Sequence, residues 1–182
     1  MNISFGETGR SNGQSAFTLK VVLAEGPLNV SWQHASATSE FLGDVFATRC
    51  AKAGQDFTEA RHAIIYLVNE LLENAIKFHS PGDIVLDCSL EVGNFELTVT
   101  NSTRPEVAER FKSLLSEVTS RDPGELLIER IEANAADENS SGSGLGILTL
   151  MNDYGVRLGW QFTTAKPGGA VVLSTHAALT LN

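Results

Sequence analysis

Residues 57–78 carry apolar side chains at Ile64, Ile65, Leu67, Val68, Leu71, Leu72 and Ile76. That spacing predicts one long helix with a broad buried face, ended by Ser80-Pro81-Gly82. Such a helix needs a sheet or other helices to bury against. Its other side is polar. Glu70 and Asn74 are four apart and project together, with Lys77 adjacent to Asn74. A carboxylate beside an amide oxygen suits the holding of a water or hydroxyl near hydrated Mg²⁺, which prefers oxygen ligands. The same pair on an isolated amphipathic helix more often faces solvent, so this spacing assigns nothing by itself.

Strand patterns supply the rest of the layer. Residues 17–23 and 28–32 read as strands joined across Glu25-Gly26-Pro27, and 84–90 and 95–100 as a hairpin turning at Val92-Gly93-Asn94. A second hairpin spans 157–163 and 170–175, and a helix with Phe41, Leu42, Val45 and Phe46 on its apolar face runs over 36–53. The expected architecture is an α+β two-layer sandwich, with a mixed, mostly antiparallel sheet covered on one face by helices. The chain's 182 residues suit one core. Residues 1–15, rich in Gly, Ser and Asn, read as a loose tail and 16–182 as a single domain.

Two further segments stand out. Residues 104–141 carry many charges and two short helical patterns, with apolar stripes at Val107, Phe111, Leu114 and Val118 and at Leu127, Ile128 and Ile131. These stripes suit either the domain's own core or a docking surface. Then Gly142, Gly144 and Gly146 open a third helix that reaches Tyr154. Alternating glycines let the backbone approach a ligand, and a helix N-terminus offers free N–H groups and a positive dipole end. The segment is neither a Walker A loop, having no following Lys-Ser/Thr, nor a dinucleotide fingerprint, having no preceding strand.

Net charge of −9 excludes a non-specific nucleic-acid or anionic-membrane surface. No apolar run is long enough to span a membrane. Cys50 and Cys88 read as buried free thiols in a reducing compartment, and the expected location is the cytoplasm.

The order of these motifs carries more than any one of them. A Glu70-x-x-x-Asn74 helix, a hairpin, a polar segment and then Gly142-x-Gly144-Leu145-Gly146 resembles the GHKL (Bergerat-fold) superfamily over residues 17–177. The resemblance implies ATP and Mg²⁺ as ligands, with Asn74 binding the metal through its side-chain oxygen. Gly142, Gly144, Leu145 and Gly146 would wrap the triphosphate, Lys77 would neutralise phosphate charge, and 104–141 would be the ATP lid. Glu at position 70, where sensor histidine kinases carry Asn, points to activation of a serine hydroxyl or a water by Glu70. The chain has no helical hairpin bearing a phosphoacceptor His, and His62 reads as structural.

The family's adenine-reading Asp-x-Gly-x-Gly is replaced here by Thr98-Val-Thr-Asn101-Ser-Thr103. Asn101 can still accept from the adenine amine, though a neutral acceptor is weaker than a carboxylate. The closer similarity is to anti-sigma-factor-type serine kinases and SiaB-type regulatory kinases. It implies a protein serine/threonine kinase acting on a small anti-sigma-antagonist-like partner, with a homodimer possible. The alternatives are a non-catalytic nucleotide-gated binding switch and a domain that no longer takes nucleotide.

Overall fold

The computed structural model describes residues 2–8, 17–25, 32–136, 144–164, 166 and 168–181. Alternating side chains build six strands: β1 (Asn2–Gly6), β2 (Phe17–Leu23), β3 (Ile84–Glu91), β4 (Asn94–Thr103), β5 (Arg157–Thr164) and β6 (Val171–Thr180). They form one sheet in the order β1-β5-β6-β4-β3-β2, and every neighbouring pair is antiparallel. The expected mixed sheet is thus corrected. Between β2 and β3 lie two helices, α1 (Trp32–Lys52) and α2 (Phe57–Phe78). Going out and back along a helix pair returns the chain antiparallel, whereas a single crossover helix would have made the strands parallel.

One face of the sheet is apolar. Leu86 and Cys88 of β3, Phe95, Leu97 and Val99 of β4, and Trp160 and Phe162 of β5 are all buried. Helices α1 and α2 pack on this face, and Phe46 of α1 meets the Phe95 ring edge-on at 4.8 Å and Phe17 at 5.2 Å. The buried stripe of α1 is Ala35, Ser39, Leu42, Gly43, Phe46 and Cys50. Phe41, expected on that stripe, is 53% exposed. The small residues at 35, 39 and 43 let α1 and α2 approach closely: a Cβ at Gly43 would collide with the Ile65 side chain. Helix α2 starts and ends where its spacing predicts, with Asp56 capping it by accepting the Glu59 amide at 2.8 Å.

The opposite face of the sheet is polar. Asp87, Thr98 and His176 occupy one register row there, and Thr98 Oγ1 lies 3.0 Å from His176 Nδ1.

Three helices join β4 to β5: α3 (Pro105–Val118), α4 (Pro123–Ala136) and α5 (Leu145–Asn152). Helix α3 puts Ala108, Leu115 and Val118 into the core, and its Phe111 sits edge-on to Trp160 and Phe162. That apolar stripe therefore serves the domain's own core. On α4, Leu126 and Leu127 are buried. Ile128 and Ile131, expected to continue the stripe, are 61% and 52% exposed.

Two other expectations are corrected. Residues 2–6 are not loose tail; they form β1, paired with β5 from Asn2 opposite Thr163 to Gly6 opposite Gly159. Only Ile3 and Phe5 alternate there, a signal too short to stand out, and the partner strand lies at the other end of the chain. The strand expected over 28–32 falls mostly outside the described residues, and Trp32 opens α1. Among the described residues no helix is long and apolar enough to cross a membrane.

Phe46 touches two rings and is fully buried. Phe46→Ala should cost roughly 3–5 kcal/mol of stability and lower Tm by about 10 °C, read by calorimetry.

Candidate functional site

Helix α2 serves two masters. Leu67, Leu71 and Ala75 enter the core, while Glu70, Asn74 and Lys77 face a cleft closed on its other side by α5. Gly144, Gly146 and Ile147 also line this cleft. The closest approach is between Glu70 and Gly146. A Cβ added at Gly146 would lie 2.7 Å from Glu70 Cδ and closer still to Oε2, so only glycine admits the carboxylate here. Spacing on α2 and glycines on α5, separate in sequence, thus describe one surface.

The amino end of α5 is uncapped by any side chain. Gly144 stands before it at φ 91°, a left-handed conformation that favours glycine, and its carbonyl accepts the Leu148 amide at 3.2 Å. The first amides of the helix have no intrahelical partner, so they are available to an anion.

A second, more enclosed cavity of about 330 Å³ adjoins the cleft. Asn74, Phe78, Gly144 and Ile147 line both. Its walls are mostly apolar: Leu71, Ala75, Val107, Phe111, Leu114, Trp160 and Leu173, with Asn101, Thr103 and Thr175 as polar points. Asn101 is only 3% exposed, and its amide nitrogen donates to the Ser102 carbonyl at 3.2 Å. Asn74 is similarly oriented, its amide nitrogen donating to the Glu70 carbonyl at 2.8 Å. In both, the bond commits the nitrogen and leaves the amide oxygen as the acceptor end.

Of the residues singled out from sequence, Glu70, Asn74, Lys77, Gly144 and Gly146 share the cleft, and Asn101 lines the adjoining cavity. Leu145 lines neither of the two and packs against the core. Gly142 lies outside the described residues, as does the end of the segment expected as a lid. Sequence reasoning missed Trp32, Glu73 and Arg110, which also line these spaces. It missed Arg130 of α4 as well. A Cβ on Gly144 would lie 3.0 Å from Arg130 Nη1, and the Arg130 guanidinium donates to Glu117 Oε2 at 2.7 Å. No local motif marks any of the four; helix packing brings them in.

Burial raises the Glu70 pKa above the ordinary carboxylate value, and the Glu73 carboxylate one turn-face away adds to it. A raised pKa makes Glu70 a better proton acceptor near neutral pH than a solvated carboxylate. Lys77 contributes a cation to the same cleft, with its ammonium 5.2 Å from the Phe78 ring centroid. Among the described residues no group of three or more His, Cys, Asp or Glu converges as metal ligands. Neither the scan against protein-family models nor the search of curated proteins found a match.

The Glu70 shift has a sign that can be measured. The folded protein holds this proton more tightly than the unfolded chain, so the ionised carboxylate weakens the fold once pH rises through the folded-state pKa. Below the unfolded pKa both states are protonated and the difference vanishes. Glu70→Gln should therefore raise Tm at neutral pH, with the gain disappearing in acid. A Tm difference that stays constant across this range would contradict the assignment.

Proposed function

We propose that this chain is an ATP-binding protein serine/threonine kinase with a Bergerat-type fold, acting in the cytoplasm on a small antagonist-like protein. The observation that carries the reading is the apposition of Glu70 to Gly146. It puts a carboxylate of raised pKa beside an uncapped helix N-terminus, with Asn74 at the junction of the enclosed cavity and the open cleft.

In this reading the base occupies the enclosed apolar cavity, where Asn101 offers its oxygen to the adenine amine. The triphosphate passes Asn74 and Gly144 into the cleft. The first amides of α5 bind phosphate oxygens, and Lys77 offsets their charge. Asn74 Oδ1 fits Mg²⁺, which takes few protein ligands and is held largely through phosphates and water. An acceptor hydroxyl then attacks the γ-phosphorus. The new P–O bond forms as the bond to the β-phosphate bridging oxygen breaks, ADP leaves, and the hydroxyl proton passes to the Glu70 carboxylate. The buried free thiols Cys50 and Cys88 are in keeping with a reducing compartment.

Asn101 favours a second reading, a nucleotide-gated binding switch without catalysis, because a neutral amide holds the base less firmly than a carboxylate. Incubation with γ-labelled ATP and a candidate antagonist-like protein separates the two: label on a partner Ser or Thr marks the kinase, and a stable unlabelled complex marks the switch. For the kinase, Glu70→Ala should reduce transfer by about 10²–10⁴-fold. The rise in Tm produced by Mg-ATP should survive in that variant. Undiminished transfer would remove Glu70 from the chemistry.

A further inference from the structure

Trp32 opens α1 with its ring 68% exposed, yet it lines the same cleft as Glu70, Glu73, Lys77, Gly144 and Gly146. A large aromatic side chain left in water at the rim of a polar cleft is a feature of binding sites more than of free surfaces. It does not line the enclosed cavity. The two spaces meet at Asn74, Phe78, Gly144 and Ile147, so a nucleotide with its base inside brings its reactive end out where Trp32 stands.

We propose that Trp32 is the docking residue for the phosphoacceptor, a protein segment carrying an apolar side chain close to its hydroxyl residue. This rests on the kinase reading above. The cleft's own charges select the chemistry. Lys77 opposes a second cation, while Glu70, Glu73 and the entering phosphates oppose an anion. A neutral apolar group covering the indole is what remains, and it would exclude water from the transfer site as it binds.

The test uses the full chain, γ-labelled Mg-ATP and a positional library of peptides centred on serine or threonine. The wild type should enrich aliphatic or aromatic residues at a position flanking the hydroxyl. Trp32→Ala should lose that enrichment and raise KM for the best peptide about tenfold with kcat nearly unchanged, and Trp32→Phe should retain most of the preference. The rise in Tm with Mg-ATP should be the same in all three proteins. An unchanged peptide profile in Trp32→Ala, enrichment of basic residues, or loss of the Mg-ATP stabilisation in that variant would overturn the assignment. If the wild type labels no peptide while Mg-ATP still stabilises it, the kinase reading falls and this inference with it; labelling that ignores Trp32 removes the inference alone.

Discussion

The contact between the Glu70 carboxylate and the backbone of Gly146 is the constraint on which the rest of the arrangement depends. It can form only if α2 and α5 cross at a separation that no side chain at position 146 would allow. That separation is set from below. Leu67, Leu71 and Ala75 anchor α2 on the sheet, while Ile147, Leu148 and Leu150 anchor α5 in the same core. Packing density, not polar attraction, holds the carboxylate at the helix terminus. A half-buried carboxylate near a second one is an unfavourable place for a charge, and the core tolerates it.

Helix α3 contributes differently. It stands partly in the core through Ala108, Leu115 and Val118 and partly over the cavity through Val107, Phe111 and Leu114. Phe111 meets both Trp160 and Phe162, so the wall of the cavity is also a piece of the core. Helix α4 is tied to α3 by Arg130 and Arg121, both of which reach Glu117, and Arg121 also pairs with Glu129. These exposed ion pairs fix the relative positions of two helices more than they stabilise the fold.

How legible this was varied with the range of the interaction. Helix α2 was readable to its last residue, because its periodicity, its capping Asp56 and its terminating Pro81 are all local. Both hairpins were readable for the same reason. The co-location of Glu70, Asn74, Lys77 and the glycines followed from motif order, although spacing alone could not place α5 against α2. Long-range pairing was not readable. Strand β1 has two apolar residues and a partner at the far end of the chain, and the direction of the strands depends on how many helices lie between them. Phe41 and Ile131 have core-like spacing yet point to solvent, since a helix pattern does not reveal which part of a wide apolar arc finds a neighbour.

The pairing of β1 with β5 also bears on the order of folding. Residues 2–6 leave the ribosome early, but their only sheet partner is 157–164, which is made near the end. The sheet's central strands β4 and β6 are likewise joined across three helices. Contacts of such sequence separation are slow to form because a long loop must close first. The α1–α2 pair and the β3–β4 hairpin can assemble while synthesis continues. The edge strand, although first in the chain, must be the last to dock.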